Sequence, residues 1–504
     1  MQAFEFPFMT TSLLVLFVGA LLLYVLRGRL EKTSGKLSVA ISGIAALFMV
    51  PPFYRVLVEG GRAAEKVAWS AILGEFGLFL DEIAFPITFA VVVLGFLSVV
   101  YAVGYTEHSE NKPTFFSNTL FFLMGMQGVT LATNLLEFFI FWELMLVPSY
   151  FLILFWGLPE TRKRTALKFW LYTQAGAVCI LIGFGLLYFF TGTFEIYSIL
   201  ALTPGIWSNL QLIQLIFVLL AAGFLVKMAV FPIHWWLPPV HAEAPTPISV
   251  LLSGAMIETG AYALVRFGTI LLGPAAMALS FWVGVLGVVT MFYGGAMALV
   301  QKDIKRLLAY SSVSQMGYVL FALGMFTANG VTGGLFHLIN HAFSKGLLFM
   351  TAGAVIHQTH LRDVDLMGGL SNKMPITAFA AAIGAMSIAG SPPLSGFASE
   401  WMMFLGGFDA VLMGEGGLVR PEFFFLSILA VSSSIVSAGY MLRYLMKVFL
   451  GPHPDALEDV KESSNWMTVP MIILGVLIVI FGIFPGLALD VIVPGVEGIA
   501  NILP

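Results

Sequence analysis

Seven residues that can bind or release a proton fall inside long apolar segments of this 504-residue chain. They are Glu143, Lys227, Glu258, His337, His341, Lys345 and Glu400. A charge at the centre of a bilayer costs about 2.5–3.5 kcal/mol on membrane-insertion scales, so several such residues in one chain predict a functional site. Carboxylates, imidazoles and buried lysines all exchange protons. The seven residues therefore predict a proton path.

The composition indicates which solvent surrounds the chain. Hydrophobic residues make up 59% of it and charged residues only 10%, which is typical of membrane proteins. A net charge of -4 provides no basic surface for nucleic acid. The single cysteine, Cys179, excludes a disulfide framework, a cysteine-ligated zinc site and an iron–sulfur cluster within this chain. We therefore expect no cofactor in this chain and no nucleic-acid partner.

Windows of about 20 residues predict fourteen transmembrane helices. The predicted spans are 9–26, 37–57, 83–105, 114–134, 136–157, 165–190, 210–231, 246–270, 276–300, 306–327, 331–357, 375–405, 421–449 and 466–490. With the N-terminus outside, 16 of the 24 Lys and Arg residues, Lys305 among them, fall in inside loops, and 5, including Arg266, fall in outside loops. Cytoplasmic loops are enriched in these residues, so we predict both termini on the non-cytoplasmic side of a prokaryotic plasma membrane or an equivalent energy-coupling membrane.

No connecting loop is long enough for a soluble catalytic domain. The longest, around Val58–Glu82 and Lys447–Asn465, have the size of hairpins or surface helices. We therefore predict a single all-α polytopic membrane domain over residues 1–504, with its mechanism among the helices.

Two predicted spans are interrupted by glycine or proline. Lys227 precedes Pro232 by five residues, and Glu400 follows a break that contains Gly390, Pro392 and Pro393. Prolines are also tolerated in ordinary membrane helices. Interrupted spans at corresponding positions of two halves, however, are typical of inverted-repeat transporters with ion sites at the breaks.

This pattern predicts two inverted five-helix repeats, each with one broken helix. The first inverted half covers residues 114–270 and the second covers 276–449. Lys227 and Glu400 then occupy equivalent positions in the two halves.

His337, His341 and Lys345 are spaced at i, i+4 and i+8, which places them along one face of a single helix. An imidazole can accept a proton on one nitrogen while donating from the other. Two histidines could instead bind a metal or haem, but no carboxylate or cysteine completes a set nearby, so no metal site is predicted. They could also simply bond to neighbouring helices. The favoured interpretation is a central relay between the halves, with Lys345 joining it to Glu400.

Four further residues lie near the predicted inner side: Lys168, His234, His241 and Glu243. Lys168 can extend towards the basic loop 162–164 or support the path. The other three can take part in proton uptake or cap helices. Glu137, near the outer end of span five, could simply face solvent.

The run from Lys227 to Thr246, KMAVFPIHWWLPPVHAEAPT, resembles the signature of the antiporter-like membrane subunits of complex I and its relatives. The run FWELMLVP over 141–148 and the segments 337–345 and 391–400 strengthen the resemblance, which covers roughly residues 80–450. The family includes proton-pumping subunits of NADH:quinone oxidoreductase, subunits of membrane-bound hydrogenases and sulfur-reducing complexes, and Mrp-type Na⁺/H⁺ antiporters. Within it, the chain is most similar to subunit M, or NADH-quinone oxidoreductase chain 4.

The resemblance implies roles for individual residues. Glu143 and Lys227 would form the carboxylate–lysine pair of the first half, with Lys227 as the proton store, and Glu400 would be the exit-side counterpart. Glu258 departs from the pattern, because complex I subunits usually carry a lysine there. A carboxylate inverts the local charge and is also a ligand that suits Na⁺.

We therefore expect a proton-translocating, antiporter-like subunit of a complex I-type redox-driven pump. The alternative is a Na⁺/H⁺ antiporter subunit of an Mrp-type, hydrogenase-like or sulfur-reducing complex. The expected partners are other membrane subunits, protons or sodium ions, and lipids, while the redox chemistry belongs to other subunits. A stand-alone solute transporter would need its polar groups clustered at one place, and a non-pumping scaffold would have no use for buried charges.

Overall fold

The computed structural model describes residues 6–70, 74–206, 209–412 and 420–498. The terminal residues, on which the predicted side of both termini depends, lie outside the described residues, as do 413–419 of the predicted second half. The N-terminal part forms α1 (Phe8–Val25), α2 (Ser34–Leu57), β1 (Ala63–Ser70), β2 (Gly74–Leu80), α3 (Phe85–Tyr105), α4 (Lys112–Leu131), α5 (Leu135–Trp156), α6 (Arg162–Thr191), α7 (Ile196–Ile206), α8 (Leu210–Met228), α9 (Leu237–Glu243), α10 (Thr246–Leu251) and α11 (Ile257–Ala263).

The C-terminal part is helical throughout its described residues, apart from short connections. It forms α12 (Gly273–Val300), α13 (Ile304–Gly324), α14 (Ala328–Thr359), α15 (Pro375–Ile388), α16 (Ser395–Leu412), α17 (Pro421–Leu445), α18 (Asn465–Ile483) and α19 (Gly486–Glu497). A wider π-helical turn over Leu252–Met256 joins α10 to α11, and a second over Leu264–Leu271 extends α11, so that residues 246–271 form one continuous segment, the α10–α11 segment.

Within the described residues, eleven helical segments are long and apolar enough to cross a membrane. All fourteen predicted spans coincide with helices, but α4, α14 and the α15–α16 pair are not among the eleven. Polar residues interrupt the apolar sequence of α4 and α14, and the break before α16 leaves α15 only 14 residues long. The helical, membrane-spanning character of the predicted fold is therefore confirmed, but the strands β1 and β2 depart from the all-α prediction.

Helix α14 lies at the centre of the molecule. It packs against α3, α13, α15, α16 and α18, and the side chains from Gly330 to Val355 are buried. Large apolar side chains are instead exposed on the peripheral helices, for example Phe189 and Ile435. An apolar periphery around a more polar centre is the arrangement expected where lipid surrounds the protein.

The loop 58–82 contains an antiparallel hairpin in which β1 pairs with β2, Ala63 lying opposite Leu80. The hairpin covers the N-terminal end of α5, where the backbone N–H of Gly77 donates to Glu137 Oε2 at 3.2 Å. Glu137 is only 1% exposed. The interpretation that Glu137 simply faces solvent is therefore wrong, because a hairpin distant in sequence from α5 shields it.

Two carboxylates bind the free backbone N–H groups at the starts of helices. Glu65 on β1 accepts from the N–H groups of Met9 and Thr10 at 2.7 and 2.8 Å, at the start of α1. Glu462 accepts from those of Ile376 and Thr377 at 2.8 and 3.2 Å, at the start of α15. A negative charge at a helix N-terminus also interacts favourably with the helix dipole. Both carboxylates thus tie connecting segments to membrane helices.

Arg266 was expected in an outside loop, but it is buried. Its two terminal nitrogens donate to the two oxygens of Asp81 at 2.6 and 2.8 Å. Asp81 Oδ1 also accepts from the N–H of Ala84, just before α3. Burial alone would raise the pKa of Asp81, but the charge and hydrogen bonds of Arg266 outweigh it and hold that pKa below its usual value. This ion pair fixes the α10–α11 segment to the start of α3.

We predict that Asp81→Asn will destabilise the protein by about 3–5 kcal/mol, because it leaves the Arg266 charge buried without its partner. The free energy of unfolding in detergent, measured by titration with sodium dodecyl sulfate, tests this. Glu82→Gln is the matched control, since it breaks the more exposed Arg62–Glu82 pair and should cost less than about 1 kcal/mol. Equal losses in the two variants would contradict the assigned role.

The same ion pair predicts a pH dependence. Because the folded-state pKa of Asp81 is lowered, its stabilisation is complete above the usual carboxyl pKa of 3.8 and is lost as the pH falls through the lower folded value. Asp81→Asn should therefore abolish this part of the acid sensitivity, which unfolding curves at pH 7 and below pH 4 would reveal.

Candidate functional site: a line of buried ionisable side chains

Lys227 occupies the last turn of α8, where the helix stops. Ala229 has a φ of 54° and ends the helix, and the indole N–H of Trp236 donates to the carbonyl of Val226 at 2.8 Å. Lys227 is 1% exposed, and its Nζ lies 4.8 Å from the ring centre of Trp142 with no hydrogen-bond acceptor among the described residues. The donors of this ammonium group are thus available to water or to a proton acceptor.

Glu143 follows Trp142 on α5, so the indole of Trp142 and the carboxylate leave neighbouring positions of one helix. Glu143 Oε1 is buried without a hydrogen-bond partner in the described chain. The two charges of Glu143 and Lys227 influence one another, but no ion pair within 4.0 Å joins these two described residues. The predicted pair is therefore a pair at longer range, with Trp142 beside the ammonium group.

Glu143 also lies on a distinctive face of its helix. Ile140 and Val147, three positions before and four after it, are 51% and 45% exposed. Residues at these spacings share one face of a helix. Glu143 therefore lies towards the periphery of the molecule, whereas Lys227 lies inside it.

Glu258 and His341 form a direct contact that the sequence did not predict. Glu258 Oε1 lies 2.8 Å from His341 Nδ1, and both side chains are fully buried. Glu258 Oε2 and His341 Nε2 have no hydrogen-bond partner within the described part of the chain. The contact joins α11 to α14, and so connects the two predicted halves.

His337, one turn earlier on α14, is bonded through both ring nitrogens. Its Nδ1 lies 3.0 Å from Ser399 Oγ and its Nε2 lies 2.8 Å from Gln315 Oε1. Since an amide oxygen only accepts, His337 Nε2 donates to Gln315 Oε1. The ring centres of His337 and His341 are 6.2 Å apart. The two imidazoles are thus neighbours without a direct hydrogen bond.

Lys345 is fully buried and binds α13. Its Nζ donates to Ser311 Oγ, and to the carbonyl of Leu308 at 3.3 Å. The predicted link from Lys345 to Glu400 is not a direct contact. Instead, Ser399, the neighbour of Glu400 on α16, connects that helix to His337.

Glu400 lies behind the second helix break. Its Oε2 accepts a long hydrogen bond of 3.4 Å from Ser434, and its Oε1 has no partner among the described residues. Gly390 in the break has a φ of +66°, and a Cβ atom there would collide with the carboxylate of Glu400. Glycine is thus required at position 390 by both the backbone and the carboxylate.

Asn340 holds this break together, a role that was not predicted from the sequence. Its Oδ1 accepts from the hydroxyls of Ser344, Ser387 and Ser395 at 3.1, 2.8 and 2.6 Å. Ser387 lies near the end of α15 and Ser395 begins α16. The sequence did contain one indication of this role, because Asn340 lies between the two predicted relay histidines on one helix.

A set of hydroxyl groups near Glu400 was not predicted from the sequence either. Gln315 Nε2 donates to Tyr440 OH at 3.5 Å, and Ser437 Oγ lies 3.2 Å from Tyr440 OH and 3.1 Å from Tyr318 OH. Glu400 lies within electrostatic range of both Tyr318 and Tyr440. These hydroxyls carry no charge, so nothing in the sequence distinguished them from ordinary helix residues.

The four accessory residues are spread over the α6–α10 region. His234 and His241 are fully buried, and none of their ring nitrogens has a hydrogen-bond partner among the described residues, so they do not cap helices there. The ring of His241 stacks on Phe349 at 4.7 Å. Glu243 ends α9 half-buried, with Oε2 unpartnered in the described chain. Lys168 Nζ lies 5.8 Å from the ring centre of Tyr172.

Lys305 was expected in an inside loop, but its side chain is 4% exposed. Its Nζ donates to the carbonyl of Ala244 at 2.5 Å, directly after α9. Lys305 and Lys345 are both buried and both lie within electrostatic range of His241. Lys305 was missed because it follows Asp303 and precedes Arg306, a charged run that is typical of a loop. Among the described residues, no group of three His, Cys, Asp or Glu side chains could hold a metal ion.

A family profile described as "NADH:quinone oxidoreductase/Mrp antiporter, TM" matches residues 132–414. The chain is 36% identical to a Na(+)/H(+) antiporter subunit of Alkalihalophilus pseudofirmus over 89% of this chain and 57% of that protein. It is 32% identical to NAD(P)H-quinone oxidoreductase chain 4 1 of Nostoc sp. over 94% of this chain and 88% of that protein. The chain thus spans little more than half of the antiporter protein but most of chain 4.

Similarity to a solved structure extends over the whole fold. A chain in the structure "Respiratory complex I from Thermus thermophilus with bound NADH" superposes with a TM-score of 0.86 and 26% identity, covering 98% of this chain and 100% of that chain. These matches, together with the long apolar helices, identify an integral membrane protein.

We predict that Gly390→Ala will destabilise the protein by about 1–3 kcal/mol, because alanine is strained at this φ and its methyl group displaces the Glu400 carboxylate. Unfolding in detergent measures the effect. Gly28→Ala is the matched control, since an added Cβ meets nothing within 4 Å there, and its stability should stay within about 0.5 kcal/mol of wild type. A Gly390→Ala protein as stable as the control would contradict the geometry.

Proposed function

We propose that this chain, which belongs to the NADH:quinone oxidoreductase/Mrp antiporter membrane family, is the proton-translocating, antiporter-like subunit of a complex I-type redox-driven pump. The observation that carries the proposal is the series of buried ionisable groups on α8, α11, α14 and α16. Within it, the hydrogen bond between Glu258 and His341 spans the boundary between the predicted halves. Ionisable groups inside a membrane typically mark ion pathways.

The proposed architecture has fourteen membrane-crossing helices, with both termini on the non-cytoplasmic side. The two inverted halves, 114–270 and 276–449, would each contain one broken helix. The break after α8 and the break between α15 and α16 support this arrangement, since each adjoins a buried ionisable side chain. Lys227 directly precedes the first break and Glu400 closely follows the second, and the ion sites of inverted-repeat transporters lie at such breaks.

In the first half, we propose that Lys227 stores the proton. The negative charge of Glu143 favours the protonated ammonium, and Lys227 has no other described acceptor. A change that moves or neutralises Glu143 weakens that attraction, so the ammonium group gives up its proton more readily. In this proposal the separation between Glu143 and Lys227 acts as a switch. The exposed neighbours of Glu143 support a switch on which another membrane subunit acts.

Between the halves, we propose that the proton moves through Glu258 and His341. A carboxyl and an imidazole 2.8 Å apart can hold one proton on either partner. The 6.2 Å separation of the two histidine rings requires a bridging water or a ring rotation for the next step. From His337, the groups of Gln315 and Ser399 lead towards Glu400.

Lys345 and the accessory residues have supporting roles in this proposal. Lys345 places a positive charge beside the histidines, which disfavours a second charge on them. Lys305, His241 and Glu243 lie together near the start of the α10–α11 segment and would form an approach to the central relay. We assign no redox cofactor to this chain. In this proposal, other subunits of the complex carry out electron transfer.

The second candidate function is that of a Na⁺/H⁺ antiporter subunit in an Mrp-type, hydrogenase-like or sulfur-reducing complex. Glu258 is the specific observation in its favour. One of its carboxylate oxygens, Oε2, is bound by no described residue, and hard cations prefer oxygen ligands. The similarity to the Na(+)/H(+) antiporter protein of Alkalihalophilus pseudofirmus supports this candidate too.

We predict that Lys227→Ala will abolish ion transport while the complex still assembles. Proton transfer by a positioned group contributes about 10²–10⁴-fold, so at least about a tenfold loss is expected. The measurement is the pH change in vesicles that contain the purified complex, normalised to its amount. Lys163→Ala, at an exposed position at the start of α6, is the control and should transport normally. Unchanged transport by Lys227→Ala would refute the proposal.

Glu258→Gln should slow transport by about tenfold or more, because the amide still accepts from His341 but cannot carry a proton. His341→Gln should cause a similar loss, and the double variant should lose no more than either single variant because both act in one step. Multiplicative losses in the double variant would show that the two residues act separately.

Repeating the Glu258→Gln assay with and without sodium separates the two candidate functions. A proton pump should transport equally well in sodium-free buffer. Transport by wild type that requires sodium, and a sodium dependence that Glu258→Gln removes, would favour the antiporter candidate instead.

A further inference from the structure

A polar cavity of about 760 Å³ opens where the C-terminal ends of α1 and α5 meet the N-terminal ends of α4 and α6. All four ends lie on the predicted inner side of the membrane. The lining includes Arg27, Glu110, Asn111, Thr114, Trp156 and Arg162. None of these residues belongs to the proton path proposed above.

The two arginines leave hydrogen-bond donors unused. Arg27 lies over the ring of Tyr24, 4.9 Å from its centre, and Arg162 donates through one terminal nitrogen to the carbonyl of Phe155 at 2.7 Å. Arg162 Nε is buried without a partner among the described residues. Neither guanidinium forms an ion pair within 4.0 Å with a described carboxylate.

The cavity carries a net positive charge, since Glu110 contributes the single carboxylate to its lining against two guanidinium groups. Guanidinium forks bind phosphate oxygens with two parallel hydrogen bonds. Side chains of Asn111 and Thr114 add neutral donors. The chemistry of the cavity therefore favours a phosphate group.

The surface beside the cavity is apolar. Phe155 is 53% exposed and stacks on Phe151, with ring centres 5.8 Å apart, while Val25 and Leu26 at the end of α1 are 68% and 39% exposed. In a membrane protein such a surface contacts acyl chains. A basic pocket between membrane helices on the cytoplasmic side, bordered by apolar surface, suits a lipid rather than a soluble anion.

We propose that this cavity binds the phosphate group of an anionic phospholipid, with Arg27 and Arg162 as its ligands and the acyl chains along Phe155 and the end of α1. The site would anchor α1, which precedes the predicted repeats, to α5 and α6 of the first half. The proposal does not depend on which ion the protein transports.

Binding of short-chain phosphatidylglycerol to the full chain, purified in detergent with its copurifying subunits and stripped of lipid, tests the proposal. The site variant is Arg27→Gln with Arg162→Gln. The control is Arg29→Gln with Arg164→Gln, which removes the same charge from exposed positions near the same two helix ends that do not line the cavity. We expect affinity to fall about tenfold or more in the site variant and less than about threefold in the control, with phosphatidylcholine binding more weakly than phosphatidylglycerol to wild type.

Equal losses in the two double variants, or equal binding of the two lipids to wild type, would overturn the proposal. Displacement of the lipid by millimolar inorganic phosphate would assign the cavity to a soluble anion, and would also overturn it. Arg27→Lys with Arg162→Lys keeps the charge and removes the forks, so it supplies a folded variant with an expected intermediate affinity if the glutamine variant is unstable.

Discussion

A polar atom buried in a lipid-embedded bundle must find its hydrogen-bond partner within the protein, because the surrounding hydrocarbon offers none and an unpaired group costs several kcal/mol. Structural charges in this chain obey that constraint. Arg266 is bound to Asp81, and Glu65 and Glu462 bind backbone N–H groups. Other buried groups leave atoms unpaired among the described residues, and several of them belong to the proton path that we propose: Glu143, Lys227, His241, Glu258, His341 and Glu400. The unpaired atoms of these six residues are free to bind a proton or another ion, which is the role that we propose for them.

Several of the buried ionisable groups lie at breaks or irregular turns of helices. Lys227 stands before one break, Glu400 after another, and Glu258 lies on a short α-helical stretch between two π-helical turns. Broken or widened helices free backbone carbonyls, which other groups or water must then satisfy. Trp236 meets that need at the first break, and Asn340 ties together the two sides of the second through serine hydroxyls. Side chains from neighbouring segments thus hold both breaks in place.

The Glu258–His341 contact sets this chain apart from a relay built on lysines. A lysine in place of Glu258 would put a positive charge beside His341 and near Lys345, which already acts on that imidazole. The carboxylate instead gives the imidazole a partner that can share its proton. The central step that we propose therefore combines an acid and a base in direct contact, and the remaining carboxylate oxygen is the feature that a sodium-coupled mechanism would use.

The sequence by itself determined that the chain lies in a membrane, that it is largely helical, which family it resembles and which seven ionisable residues lie in apolar segments. Each of these results depends on composition, on the length of apolar segments or on a local motif. Only the tertiary structure decided which of the seven residues touch. It paired Glu258 with His341, separated Lys345 from Glu400, and kept Glu143 and Lys227 out of direct contact. It also buried Arg266, Lys305 and Glu137, which local context had placed at the surface, since partners from distant segments enclose them. Burial and pairing depend on how helices far apart in the chain pack together, and a linear pattern of residue types does not contain that information.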